Sequence, residues 1–144
     1  MKNTINKYFE VKVKLQKTME DGQQKKVSEQ YVVEAATFGE AERRIAECLK
    51  PYIESEFEVT DIKIAGYGQI INDNQDADKF FKAKVSFITL DETTGKEKKT
   101  SELYLVQSDT LESAESDVKS FLNDNNTTIS SISETAILDV FPLD

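Results

Sequence analysis

The feature that most constrains this chain is an internal repeat. Phe9-Glu10-Val11-Lys12-Val13 lies over Phe81-Lys82-Ala83-Lys84-Val85, and after one inserted residue Gly22 meets Gly95, Lys25-Lys26 meets Lys98-Lys99, and Ser28-Glu29 meets Ser101-Glu102. The correspondence continues through Tyr31 and Tyr104, Val33 and Val106, Thr37 and Thr110, Ala41-Glu42 and Ala114-Glu115, and Leu49 and Leu122. A small deletion then places Val59-Thr60-Asp61-Ile62 over Ile129-Ser130-Ser131-Ile132. So many identities in one order identify a duplicated structural unit, and whatever one copy forms the other must form as well.

Each copy reads as strand, strand, helix, strand. Phe9, Val11, Val13 and Leu15 alternate with polar residues, as do Phe81, Ala83, Val85 and Phe87, which is the period of a half-buried strand. Polar turns holding Gly22 and Gly95 lead into second strands near 27–33 and 100–106, which should pair antiparallel with the first. Thr37 and Glu40 form a capping box ahead of Phe38, Ala41, Ile45, Cys48, Leu49 and Tyr52 at helical spacing. Leu111, Ala114, Val118, Phe121 and Leu122 repeat that face behind Asp109 or Thr110. Pro51 should end or kink the first helix, with Tyr52 and Ile53 packing an extra turn. Third strands are expected near 57–64 and 127–138.

The expected fold is therefore α+β. It consists of a duplicated β-β-α-β unit, residues 1–71 and 80–144 joined by an acidic linker at 72–79, with two mainly antiparallel sheets packed about a pseudo-twofold axis and one helix per unit. A single unit of three strands and a helix would leave sheet edges open, which argues for one compact domain.

Composition narrows the chemistry. No histidine is present and Cys48 is the single cysteine, so the usual zinc ligand sets, an internal disulfide and histidine-dependent catalysis are all unavailable. Cys48 sits on the apolar helix side and reads as packing. The Asn/Asp/Gln-rich stretch 72–78 lacks the glycine and terminal glutamate of a calcium loop and reads as a linker. We expect no enzyme, no cofactor and no metal. No apolar run reaches the ~18–20 residues needed to cross a bilayer, and Met1–Asn6 has no apolar signal core, so a cytoplasmic protein is expected, with no membrane partner.

The net charge of −9 is unevenly spread. Residues 1–33 carry seven lysines against four acids and residues 79–106 six against four, so both hairpins are basic within an acidic chain. Lys12, Lys14, Lys82 and Lys84 on the first strands, with Lys25, Lys26, Lys98 and Lys99 near the turns, would suit the phosphates of a single-stranded nucleic acid, with Tyr8, Tyr31, Phe80 and Tyr104 as stacking candidates. The same lysines could instead guard strand edges, and Tyr31 and Tyr104 could be core residues. The alternative function is a protein-interaction or accessory module, binding a host or phage protein through an apolar groove or by adding a partner's strand to an exposed edge. The closing Asp139-Val140-Phe141-Pro142-Leu143-Asp144 could be a partner-recruiting tail or part of the fold, since Val140-Phe141 align with Ile70-Ile71.

The stretches Lys17-Thr18-Met19-Glu20-Asp21-Gly22, Thr37-Phe38-Gly39-Glu40-Ala41-Glu42 and Glu56-Phe57-Glu58-Val59-Thr60-Asp61-Ile62-Lys63 carry a family resemblance. So do Val85-Ser86-Phe87-Ile88-Thr89-Leu90-Asp91-Glu92 and Ile137-Leu138-Asp139-Val140-Phe141-Pro142. Together they resemble a domain-of-unknown-function family of gut Bacteroidetes and of their phages and mobile elements. The resemblance covers nearly the whole chain and implies no catalytic residues. The resemblance implies a setting, a bacterial cytoplasm with its phages and mobile elements, in which nucleic-acid-handling proteins are common.

Overall fold

The computed structural model describes residues 6–53, 55–123 and 127–143. It is α+β, with eight strands in two four-stranded sheets and one twelve-residue helix for each copy of the repeat. In chain order the elements are β1 (Lys7–Thr18), β2 (Gln24–Ala35), α1 (Phe38–Leu49), β3 (Phe57–Ala65), β4 (Tyr67–Ile71), β5 (Lys79–Leu90), β6 (Glu97–Ser108), α2 (Leu111–Leu122), β7 (Thr127–Glu134) and β8 (Ile137–Phe141).

The chain forms two units, one running to Gly66 and taking in Ala136 onward, the other spanning Tyr67–Thr135. The first holds a sheet of order β3-β1-β2-β8, the second a sheet of order β4-β6-β5-β7. Sequence periodicity predicts one third strand over 127–138 in the second copy, whereas the structure has two strands there, β7 and β8, in different sheets. Between them both the backbone N–H and the Oγ1 of Thr135 bond the Phe80 carbonyl, at 2.9 and 2.8 Å, ending β7 against β5. Each copy thus carries a fourth, five-residue strand that the β-β-α-β reading lacks. The fourth strand of each copy pairs parallel in the sheet of the other, β8 on β2 and β4 on β6, while every other pairing is antiparallel. The physical return is that β2 and β6, which would otherwise be open edges, are covered.

Within the first unit α1 lies on one face of its sheet. Its Ala41, Ile45 and Leu49 close over Phe9, Val11, Val13, Leu15, Tyr31, Val33 and Ala35, with Ile53, Phe57, Val59, Ile62 and Phe141 at the margin. In the second, Ala114 and Val118 close over Phe81, Ala83, Val85, Tyr104, Val106 and Ile71. Thr37 Oγ1 accepts from Glu40 N–H at 3.1 Å, as expected from sequence, and Thr110 Oγ1 accepts from Ser113 N–H at 3.1 Å, so of the two candidates Asp109 and Thr110 it is Thr110 that caps α2. Their ends differ. α1 stops before Pro51, and the following turn returns the N–H groups of Tyr52 and Ile53 to the Leu49 carbonyl, both at 2.9 Å. α2 stops on Asn123 in the left-handed region at φ 42°, its N–H bonded to Lys119 O.

Both hairpin turns hold a glycine at positive φ, Gly22 at 84° and Gly95 at 70°, as their polar sequences anticipated. Asp91 accepts from the N–H groups of Thr93 and Thr94, which holds its carboxyl below the ordinary carboxylate range. No helix among the described residues is long and apolar enough to cross a membrane.

Candidate nucleic-acid interface

Strand alternation gives each sheet two faces, one under its own helix and one away from it. With Phe9, Val11, Val13 and Leu15 under α1, the intervening Tyr8, Glu10, Lys12 and Lys14 point to the opposite face. Register carries this to β2, where Gln30 stands opposite Lys12, Ser28 opposite Lys14 and Lys26 opposite Gln16. Lys25, paired with Lys17, falls on the helix side. The second unit repeats the arrangement: Lys82 and Lys84 face away from α2, Lys99 joins them opposite Ile88, and Lys98 falls on the other face opposite Thr89. Six of the eight sequence-predicted lysines therefore share the face away from the helix in their own unit, and Lys25 and Lys98 do not.

What neighbours those lysines differs between the units. In the first, β3 sets Asp61 opposite Lys12, Glu58 opposite Lys14 and Lys63 opposite Glu10. Glu10 is buried, accepts from Gln30 Nε2 at 3.0 Å and lies 3.8 Å from Lys63 Nζ. Lys12, Lys14, Lys26 and Lys63 thus stand among Glu10, Glu34, Glu58 and Asp61, and the face is close to neutral. In the second unit, β7 sets Ser133 opposite Lys82 and Ser131 opposite Lys84, and β6 sets Leu105 and Leu103 there. The acid on this face of the hairpin is Glu97, near the turn. Lys82 is half-buried, with Nζ 5.7 Å from the Tyr67 ring centroid, a cation–π contact, and Lys84 and Lys99 are exposed. Lys84 and Lys99 are therefore exposed on this face with no acid directly across from either among the described residues.

The aromatic candidates are not on these strips as open platforms. Tyr31 and Tyr104 are buried core residues, 7% and 8% exposed, and Phe80 is buried. Tyr31 stacks on Phe141 at 5.8 Å and donates to Glu29 at 2.9 Å, and burial with that acid beside it pushes its phenol well above the ordinary value. Tyr104 packs edge-on against Phe121, and burial raises it likewise. Tyr8 is half-buried, raised by burial and by Glu34. Base stacking through Tyr31, Phe80 and Tyr104 is corrected accordingly, since a buried ring has no free face to offer; Tyr8 is half-buried and belongs to neither core. Cys48 is half-buried, and burial holds its thiol above the usual value, a state unsuited to nucleophilic attack.

Two features escaped the sequence reading. Ile88, Leu90 and Leu103 are exposed on the lysine face of the second hairpin, where the first has Gln16, Thr18 and Gln30. The repeat alignment held that signal, three polar residues exchanged for three aliphatic ones. The second feature is Arg44, which ties the closing segment down. Its Nε bonds the Glu34 carbonyl at 2.9 Å and its Nη2 the carbonyls of Phe141 and Pro142 at 3.2 and 3.1 Å, while Leu143 N–H donates to the Glu34 carboxylate at 2.9 Å. Residues 137–143 therefore belong to the fold, and the reading of 139–144 as a free tail is corrected for all but Asp144, which lies outside the described residues. The linker is likewise engaged: Gln107 Nε2 bonds the carbonyls of Gln75 and Ala77.

A protein-family model described as "Domain of unknown function (DUF4494)" matches residues 7–143. No curated protein and no solved structure matches the chain.

Proposed function

The chain belongs to the DUF4494 family, and we propose that it is a non-enzymatic single-stranded nucleic-acid-binding protein whose phosphate-contacting surface is the face of the second sheet turned away from α2. The observation that supports this is the asymmetry of neighbours: Lys84 and Lys99 share one exposed face, Lys84 across from Ser131 and Leu103 and Lys99 across from Ile88, where Lys12 and Lys14 meet Asp61 and Glu58. A lysine opposite an acid has its field cancelled within the sheet, whereas one opposite serine projects its charge outward. With Tyr31 and Tyr104 occupied in the cores, Ile88, Leu90 and Leu103 supply the apolar contacts beside the lysines. Lys12, Lys14, Lys25, Lys26 and Lys98 then contribute long-range attraction more than direct contact. The setting that fits is a bacterial cytoplasm, with association to phages or mobile elements.

The test is fluorescence anisotropy of a labelled single-stranded oligonucleotide, against the matching duplex, at about 50 and 200 mM salt. Three phosphate contacts predict a loss of affinity of roughly 20-fold between those salts on single strands, from counterion release. Affinity that does not move with salt, or a preference for duplex, contradicts the reading.

The protein-interaction reading is favoured by a different observation, the open edge of β7.

A further inference from the structure

Every four-stranded open sheet has two edges, and those of the second unit are β4 and β7. β7 pairs with β5 alone among the described residues. Its sequence, Thr-Thr-Ile-Ser-Ser-Ile-Ser-Glu, holds no lysine, no proline and one acid at its very end. Lysine and proline are among the devices that ordinarily keep an edge from pairing with another chain, and of such devices this strand carries a β-bulge. Thr128, Ser130, Ser131 and Ser133 are exposed, and beside the strand an open groove of about 1110 Å³ runs along Glu115, Lys119 and Leu122 of α2.

The strand also has a phase defect that narrows what can pair with it. Between Ile129, opposite Val85, and Ser131, opposite Lys84, Ser130 is an inserted bulge residue, and its hydroxyl meets that of Ser86. Ile129 and Ile132 consequently both point into the core, three residues apart, with Ser130 and Ser131 both on the other face. A regular strand laid along this edge matches its in-and-out pattern at one isoleucine and is out of phase at the other. A strand with the same break stays in phase along its whole length.

We propose that the occupant of the β7 edge is the β7 edge of a second copy of this chain, paired antiparallel about a twofold axis between Ser130 and Ser131. The segment 128–133, Thr-Ile-Ser-Ser-Ile-Ser, reads almost the same in both directions. That axis sets Ile129 opposite Ile132 of the second copy, Ser130 opposite Ser131, and Thr128 opposite Ser133, bulge against bulge, with the inward isoleucines entering the groove beside Leu122. No charge is brought opposite a like charge in these pairs, which matters for a chain of net charge −9. Such an isologous contact closes as a dimer. The first unit's β3 shares the bulge, with Thr60 as the inserted residue, but carries Glu58, Asp61 and Lys63 there, and Lys63 is already engaged by Glu10. Pairing at that edge would desolvate three charges. The contact at β7 is short, so the dimer is weak and grows in with concentration. Because the chains repel one another as acids, salt strengthens it, the opposite of the response predicted for nucleic-acid binding.

Sedimentation velocity on the full chain across about 1–500 µM tests this, using two variants that share one substitution. Thr128→Glu/Ser133→Glu places like charges opposite each other at both symmetric pairs and is expected to raise the dissociation constant at least tenfold, an effect of ~1.4 kcal/mol or more. Thr128→Lys/Ser133→Glu turns the same two pairs into attractive ones and is expected to restore the dimer to within about threefold of wild type. Both positions are exposed, and melting curves matching wild type establish that each variant is folded. A wild type that stays monomeric throughout overturns the proposal, as does a dimer indifferent to Thr128→Glu/Ser133→Glu. Loss of the dimer in both variants overturns it too, since the register would not be the twofold one.

Discussion

The two units are built from one sequence pattern and have been put to different uses at their surfaces. Their cores correspond at seven buried positions: Phe9 with Phe81, Val11 with Ala83, Val13 with Val85, Tyr31 with Tyr104, Val33 with Val106, Ala41 with Ala114, and Ile45 with Val118. The bulge recurs at the same place, after Lys12 in one and Lys84 in the other. Away from the helix the correspondence is partial: Lys12 and Lys84, Lys26 and Lys99, and the fully buried Val32 and Leu105 still match, while their neighbours do not. The first unit sets acids opposite its lysines, whereas the second sets serines and leucines there and leaves Ile88, Leu90 and Leu103 exposed. Packing constrains the buried face of a repeat by volume. The outer face is free to diverge, and that is where function is to be sought.

The equivalence of the cores is the first thing to try to break. Phe9→Ala and Phe81→Ala each delete a fully buried ring, and each is expected to cost about 3–5 kcal/mol in urea denaturation. Values within ~1 kcal/mol of each other support equivalent cores, and a gap above ~2 kcal/mol breaks the equivalence.

A smaller and asymmetric effect is expected midway along the helices, where Arg44 and Asp117 occupy matching positions. Arg44 satisfies three carbonyls and secures β8, while Asp117 accepts one long bond, 3.5 Å, from Ser108 Oγ. Arg44→Ala should cost ~2–3 kcal/mol and raise amide exchange along β8, against under ~1 kcal/mol for Asp117→Ala. Equal costs would mean that the closing strand is not held by Arg44.

The smallest effect belongs to the second turn. The Asp91 carboxyl is depressed because Thr93 and Thr94 donate to its ionised form. A depressed carboxyl contributes stability that is present above its unfolded value, about 3.9, and is lost as pH falls through its folded one. Between pH 5 and pH 2, wild type should therefore lose slightly more thermal stability than Asp91→Asn. Parallel pH profiles for the two would remove Asp91 from the account of the turn.

Much of this architecture was legible in the chain. Alternation in β1 and β5, threonines ahead of both helices, and glycines in both turns each reflect a local physical demand, and local demands leave local marks. The fourth strands were not legible. Ala65-Gly66 and Thr135-Ala136 are interruptions too short to read as strand ends, and which sheet a five-residue strand joins depends on a partner far off in sequence. Tyr31 and Tyr104 obeyed the strand period, so their burial could be expected. For the site, alternation alone separates Lys26 from Lys25 and Lys99 from Lys98. What it could not give is the charge opposite each lysine, since that depends on the register of β1 with β3 and of β5 with β7, and a single bulge resets it.

The most direct test of divergence at the surface compares two charge-removing variants in the same single-strand anisotropy assay. Lys84→Gln/Lys99→Gln removes charge from the unopposed strip and Lys12→Gln/Lys14→Gln from the opposed one, with equal change in net charge. The account predicts a loss of affinity of at least about fivefold at ~100 mM salt for the first and under about twofold for the second, with a shallower salt slope only in the first. Equal losses in the two variants would mean that binding follows overall charge, and would contradict the assignment of the site to the second unit.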